Sequence, residues 1–467
     1  MIGGGLAGLS SAVALAEAGF RVRLLEKRPH LGGRAASYVL PDGEHVDNCQ
    51  HVTLGCCTNL EEFYRRVGAA NQIQFFDRLM FATPDGRRGV IHSAALPPPL
   101  HMAFSFAFYP LLGLADKFVI AQALLAIALS GGRPGDLASN VAGENITMLA
   151  WLKKHRQTDC AIRRFWEVIL VSALDEDLDR IDARYGIDVF WKAFLSTRAG
   201  YRVGIPRVPL SDLYEGCRKA LAAQGGEVQL RAGVRGFQFL NGRVSGVERE
   251  DGSLETADYY VSAVPQDVLP ELLPAEIVER DPAFHNLRNL RTSPITGVHL
   301  WFDRTVMMEP FLTLLDTTTQ WVFNKTQLYG TGAENGGQYL QLVISASYNL
   351  TTRSRQEIIA FCLEELRGVL PATRDASLVK GTVVKEISAT FSPAPGSDQW
   401  RPPQGTSPTG LFLAGDWTST GWPSTMEGAV RSGFLAAEAI LSDAGTPRKI
   451  LQSDLRTEGL ARLWARE

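Results

Sequence analysis

The sequence predicts an α/β fold, and three observations carry that prediction. A glycine loop at residues 3–8 runs into a helical pattern, a buried strand and helix lie from residue 411 onward, and strand-like segments with a hairpin turn fill 227–264. Units of this kind build a Rossmann-like nucleotide-binding domain. Its pieces are far apart in the chain, so the domain is discontinuous, formed from 1–70, 205–268 and 401–445. Between them stands a mixed α+β region, 71–204 and 269–400, with an apolar helical insert at 96–132. A charged tail follows at 446–467. At ~150 residues per domain, 467 residues suit about three such units.

The glycine loop comes first, in MIGGGLAGLSSAVALAEAGFRVRLLEKR. Gly3, Gly5 and Gly8 form G-x-G-x-x-G, Leu9, Ala12, Val13 and Ala16 give the helical period, and Arg21–Leu25 reads as a strand ending at Glu26. Gly3 permits the tight turn, Gly5 admits a pyrophosphate to the backbone, and Gly8 lets helix and strand pack closely. The helix start carries partial positive charge that suits a diphosphate. Glu26, 23 residues after Gly3, is placed to accept hydrogen bonds from an adenosine ribose. Only Met1 and Ile2 precede Gly3, so a full unit is expected to begin about five residues earlier, going by typical strand length.

Leu31-Gly32-Gly33-Arg34 then adds a second glycine pair with an arginine. This string resembles the flavoproteins that include amine oxidases and carotenoid desaturases, and the resemblance implies FAD. It implies that Gly33 admits the dinucleotide, that Arg34 neutralises phosphate charge, and that Lys27 beside Glu26 joins the cofactor set. The far end reads as a buried strand, Leu411–Ala414, then Gly415-Asp416, a loop, and a helix from about Met426. In that family the Gly-Asp pair reaches the ribityl chain and pyrophosphate. The helix start with Met426, Glu427, Gly428 and Ala429 points its positive end at the isoalloxazine, which favours an anionic reduced flavin. The middle piece has strands at Glu227–Leu230, Phe237–Leu240, Arg243–Glu248 and Ala257–Val264, with Asn241-Gly242 as the hairpin turn. There the resemblance implies a backbone contact from Val234 to adenine.

The remaining elements build the substrate region. From Met102 to Ser130 the only charges are Asp116 and Lys117, and Pro110 and Gly113 divide the stretch into two helical pieces too short to span a bilayer. Two readings stand: a monotopic lid that dips into a membrane, or a pair of buried core helices. Arg291–Phe302, Trp321–Phe323 and Tyr339–Ala346 read as strands and Gln356–Val369 as an amphipathic helix. The tail from Arg448 reads as a solvated terminal helix.

Composition narrows the function. Hydrophobic residues at 45% and charged residues at 21% fit a globular chain rather than a disordered one. The net charge of −3 speaks against nucleic acid as a principal partner. Cys49, Cys56, Cys57, Cys160, Cys217 and Cys362 form no C-x-x-C pair and no zinc spacing, so reduced thiols and no metal are expected. No secretory pattern opens the chain and no stretch of 18 apolar residues occurs, so a cytoplasmic location is expected, with peripheral contact at the inner membrane face as an extension.

Two longer strings sharpen the resemblance. Val46-Asp47-Asn48-Cys49-Gln50-His51, followed by Leu54-Gly55-Cys56-Cys57, sits where desaturase-type flavoproteins place a strand and loop beside the flavin. The other is Ala414-Gly415-Asp416-Trp417-Thr418, then Thr420-Gly421-Trp422-Pro423-Ser424-Thr425 and the helix start Met426-Glu427-Gly428-Ala429-Val430-Arg431-Ser432-Gly433. Together they resemble the squalene-associated FAD-dependent desaturases, the hydroxysqualene dehydroxylase family of hopanoid biosynthesis. The resemblance implies a polyisoprenoid substrate, an electron donor that reduces the flavin, and conversion of hydroxysqualene and reduced FAD into squalene, oxidised FAD and water. Loss of an allylic hydroxyl needs a proton donor and a dry apolar tunnel. His51 is the first candidate for that donor, Asp47 its partner or alternative, and Asp175 a further candidate beside what reads as a solvated acidic turn, Glu176, Asp177, Asp179 and Asp182.

Three other readings compete. A phytoene-type carotenoid desaturase shares the Met-Glu-Gly-Ala-Val helix and would oxidise rather than reduce its isoprenoid. An amine oxidase normally places a tyrosine beside the flavin where this chain has Thr425. A flavin-bearing lipid-binding protein would have no turnover.

Overall fold

The computed structural model describes residues 1–133, 145–330 and 336–465. All three sequence-predicted pieces of the nucleotide-binding unit supply strands to one layer. Ile2 bridges in parallel to Leu25 on one side and Ser262 on the other. Its N–H donates to the Val261 carbonyl and the Leu25 N–H to the Met1 carbonyl, both at 2.9 Å. The first three residues therefore take the central position. Arg23–Glu26 pairs in parallel with Glu227–Leu230, and Tyr260–Ser262 with Leu411–Leu413. Parallel strands covered on both faces need apolar runs, and Leu24, Leu25, Val261, Leu411 and Leu413 are buried. The helices Leu6–Glu17 and Met426–Asp443 pack together, with Ala12, Val13, Val430 and Ala437 in one cluster.

The second layer is a seven-stranded sheet in the order Leu378–Phe391, Thr292–Phe302, Gln338–Ile344, Trp321–Asn324, Phe311–Leu314, Arg78–Ala82 and Arg88–His92. It is antiparallel except where Phe311–Leu314 runs parallel to Arg78–Ala82. Helix Arg355–Val369 covers one face, with Ile358, Cys362 and Leu366 against Val298, Leu300 and Leu342. The other face turns Trp321, Phe323 and Val343 toward a helical layer built on Trp151, Phe165, Trp166 and Phe190.

Strand and helix positions follow the sequence pattern, but three expectations change. The strand expected over 257–264 shrinks to Tyr260–Ser262. The tail is not a solvated helix: residues 446–458 run without helix, and a 3-10 turn, Gly459–Leu463, follows. The extended path is fixed by ties to distant segments. Gln452 N–H donates to Asn59 Oδ1 and Glu458 N–H to the Ser196 carbonyl, both at 2.8 Å, while Asp454 pairs with Arg431. Finally, the acidic turn is only half solvated: Asp177 and Asp179 keep side-chain exposures of 45% and 67%, while Glu176 and Asp182 are buried. Asp175, Glu176 and Asp182 are at most 4% exposed. Glu176 accepts hydrogen bonds from Tyr348 Oη and Asp177 N–H, and Asp182 from Arg184 N–H, which is what allows carboxylates to be buried.

The apolar insert divides its allegiance. Pro110 and Gly113 separate Ala103–Ala107 from Leu114–Leu129. The longer helix buries Ile120, Ala123, Ile127 and Ala128 and exposes Leu114, Phe118, Leu125 and Leu129, next to exposed Phe104 and Phe108. Among the described residues no helix is long and apolar enough to cross a membrane.

Candidate active site

The glycine loop, the second glycine pair and the chain's far end converge on one cradle. Gly5 bridges to Gly32, and a Cβ on Gly33 would stand 3.0 Å from the Gly5 Cα. Gly3 has φ +102°, and a Cβ there would meet the Ala263 carbonyl oxygen at 2.7 Å. No side chain caps the amino end of Leu6–Glu17 at Gly5, so its first amides face the cradle as donors for an anion. Arg34 donates to Asp416, which also accepts from Ser424 Oγ. Asn48 Oδ1 is buried there without a protein partner. Open glycine backbone, uncapped helix amides and an arginine fit a dinucleotide such as FAD.

The other expected cofactor residues divide. Glu26 closes the first strand, where its carboxylate accepts from the Gly4 and Arg28 amides at 2.6 and 2.7 Å. Ala232 N–H donates to the Glu26 carbonyl, which brings the half-buried Val234 alongside. Gly415 N–H is held by Ser432 Oγ, and Ala429 N–H by the Thr425 carbonyl, so both sit on fixed backbone. Lys27 is different: its side chain is 75% exposed and paired with Glu250 outside the cradle. Glu427 also differs. Its buried carboxylate accepts from the Asn59 and Leu60 amides, the first turn of helix Thr58–Arg66, and pairs with Arg431. Glu427 therefore fastens the Cys56–Cys57 segment to the last helix.

A cavity begins at this junction. Gln50, Cys56, Cys57, Thr425, Met426 and Glu427 form one end, and Leu79, Phe81, Val168, Ile169, Trp321, Phe323 and Val343 line the walls. Sheet and helical layer meet here, so apolar side chains from both surround the same space.

The proton-donor candidates are reordered. Asp47 is fully buried and accepts from Lys325 Nζ, Tyr329 Oη and Ser37 Oγ. Burial opposes its charge, but the Lys325 ammonium and these bonds outweigh it and hold the carboxyl below its ordinary range. Asp47 thus has no proton to give. Burial also lowers the His51 pKa, leaving a neutral ring. Its Nδ1 lies 2.9 Å from the Cys49 carbonyl, which can only accept, so Nδ1 carries the hydrogen and Nε2 is an acceptor. Neither residue lines the cavity. Asp175 does not line it either, but its protonation is the opposite case: burial pushes its carboxyl well above the usual carboxylate range. Oδ1 accepts from Ala346 N–H at 2.8 Å and Oδ2 from Thr390 Oγ1 at 2.9 Å. Asp175 and Ala346 both hold left-handed backbone, φ 52° and 48°, between wall residues Ala173 and Ser345.

Lys325, Asp188 and Lys192 escaped sequence reasoning. Lys325 follows the apolar strand Trp321–Asn324 and is fully buried. Asp188 and Lys192 line the cavity four residues apart within YGIDVFWKAFL. A charged pair at helical spacing inside an aromatic run was the available signal.

Comparison with known proteins agrees with this geometry. The family model described as flavin containing amine oxidoreductase matches residues 6–441. A 15-cis-phytoene desaturase of an Oncidium hybrid cultivar is 28% identical, over 94% of this chain and 77% of that protein. A zeta-carotene desaturase of Synechocystis sp. is 27% identical, over 95% of this chain and 97% of that one. Among solved structures, an oxidoreductase from Methanosarcina mazei superposes with TM-score 0.73 at 19% identity, covering 94% of this chain and 99% of that one. Cyclohexylamine oxidase from Brevibacterium oxydans gives 0.66 at 17%, covering 95% and 98%. These structures share the fold.

Proposed function

The chain belongs to the flavin containing amine oxidoreductase family, whose cofactor is FAD, and from that premise we propose that it is an oxidoreductase of linear polyisoprenoids. The cavity carries this reading: its walls are mostly hydrocarbon and it starts at the Gln50 and Thr425–Glu427 segments. When bound, FAD supplies a two-electron acceptor or donor. The chain's own work is to exclude water and hold an extended apolar chain against that end.

Desaturation of a carotenoid-type chain is the first reading, supported by relatives that align along nearly the whole sequence. Reductive dehydroxylation of hydroxysqualene is the second, favoured by one observation. Asp175, kept neutral by burial behind the wall at Ala173 and Ser345, is a stored proton of the kind that departure of water requires. In this reading His51 and Asp47 position the loop that carries Gln50. The reading includes contact with a membrane surface through the exposed apolar face of Leu114–Leu129 and the adjoining Phe104 and Phe108.

Anaerobic mixing tests the direction. Loss of the flavin's visible absorption on adding phytoene to the oxidised protein supports desaturation. Its return when hydroxysqualene meets the photoreduced protein supports dehydroxylation. A flavin spectrum indifferent to both overturns the proposal.

A further inference from the structure

We propose that Lys192 and Asp188 form a polar subsite in the wall of the apolar cavity, one that recognises a hydroxyl on an otherwise hydrocarbon isoprenoid. The inference rests on the polyisoprenoid reading of the cavity. Both residues lie on a single helical face. Helix Ala183–Val189 continues into the π-helical turn Phe190–Leu195, and Tyr185, Asp188, Val189, Lys192 and Ala193 from this stretch all line the cavity. π-Helical turns are rare and concentrate at functional sites.

The bonding leaves capacity for a ligand. Lys192 Nζ lies 2.9 Å from Asp188 Oδ2 and 5.1 Å from the centroid of the Trp422 ring. Among the described residues, no other side chain bonds to either charged group. An ammonium has three N–H donors and a carboxylate two accepting oxygens, so two N–H groups and an oxygen remain. A hydroxyl is donor and acceptor at once and satisfies one of each. Trp422 supplies a second, independent sign. It lines the same cavity, is 7% exposed, and its indole N–H has no protein partner. Tyr185 does not compete for this role, because its hydroxyl is engaged by Asp398 and Arg401.

Chemistry also limits the ligand. An ion pair in an apolar wall loses hydration that an all-hydrocarbon ligand does not replace. A phosphate or carboxylate would bring negative charge against Asp188. A neutral oxygen function avoids both penalties.

The test uses FAD-loaded, oxidised protein without a reductant, so that binding is read apart from turnover. Hydroxysqualene and squalene, which differ by the hydroxyl, are titrated while the flavin spectrum and tryptophan fluorescence are followed. The wild type is expected to bind the alcohol on the order of tenfold or more tighter, the range of a hydrogen bond to a charged group. Lys192→Met should abolish that preference while squalene affinity holds, and Lys192→Arg should keep it. The paired variant Lys192→Met/Asp188→Leu, which leaves no lone charge, should also lose it, and it serves if the single variant fails to load FAD. An unchanged alcohol-to-hydrocarbon ratio in these variants, or no preference in a wild type that binds both, overturns the subsite but leaves the polyisoprenoid reading intact. A wild type that binds neither ligand overturns both.

Discussion

Lys325 and Asp47 meet at 2.8 Å with neither side chain exposed, although 278 positions separate them in the chain. The pair ties the end of strand His45–Asp47 to the residue that follows strand Trp321–Asn324, and Lys325 also donates to Gln50 Oε1 at 2.6 Å. Gln50 lines the cavity, so this contact joins fold stability to cavity shape.

Removing one partner should therefore cost stability. Lys325→Met leaves the Asp47 carboxylate buried and uncompensated, a loss of about 3–5 kcal/mol. The double variant Lys325→Met/Asp47→Asn should regain a large part of it. Denaturant unfolding midpoints measure both, and an unshifted midpoint in the single variant would contradict the assignment.

Gly8→Ala should empty the cofactor cradle. A Cβ at Gly8 would stand 2.0 Å from the Gly3 carbonyl oxygen and 3.2 Å from the Ala263 Cβ, so the loop and the strand beside it must part. The ratio of flavin absorbance to protein absorbance in purified material should fall to a small fraction of the wild-type value. Full loading would show that the loop tolerates the added carbon.

His299 should set part of the acid sensitivity. It is buried, its Nδ1 bonds to Tyr339 Oη, and burial lowers its pKa to about 3. Because the unfolded chain takes up this proton near pH 6.5, stability is complete above that pH. It should fall by about 1.4 kcal/mol per pH unit below it, until the folded histidine titrates at about 3. In His299→Gln the slope of stability against pH between 6 and 4 should flatten by roughly that amount; an identical slope would refute the assignment.

Phe108 and Phe118 are 72% and 64% exposed on the apolar face of the insert. Burying a phenylalanine is worth about 1.5–3 kcal/mol. Phe108→Glu/Phe118→Glu should thus weaken co-flotation with phosphatidylserine-containing vesicles by about a hundredfold or more while FAD loading stays constant. Equal flotation of variant and wild type would separate the exposed face from lipid.

On the dehydroxylation reading, Asp175→Asn should keep bound FAD and slow hydroxysqualene turnover by about a hundredfold or more, the scale of general acid catalysis. His51→Ala should also retain FAD and lose less, since its Nδ1 hydrogen is committed to the Cys49 carbonyl. A larger loss in His51→Ala than in Asp175→Asn would restore the histidine as the donor.

The tail and the acidic turn show where local pattern stops being informative. Arg448 onward has the charge density of a solvated helix, yet Ile450 and Ala461 are buried and Asn59, Ser196 and Arg431 hold the path extended. Glu176 and Asp182 have the composition of a solvated loop, but Tyr348 Oη and the Arg180 guanidinium meet Glu176, and the Arg184 N–H and guanidinium meet Asp182, so both carboxylates can be buried. The tail's partners and Tyr348 are remote and leave no mark in the neighbouring letters, whereas Arg180 and Arg184 stand within four positions of the acids they pair with.

What the amino-acid order determined by itself was the local shape of the proposed cofactor cradle: Gly3, Gly5, Gly8 and Glu26, the Gly32-Gly33-Arg34 string and the Gly415-Asp416 strand end. Those features are local, because a tight turn, an uncapped helix start and a buried strand each depend on residues within a few positions. Only the tertiary structure decided which carboxyl has its pKa lowered and which has it raised, since Asp47 meets an ammonium from a distant segment while Asp175 meets none. Protonation follows desolvation and the nearest charge, and both are properties of the space around a group.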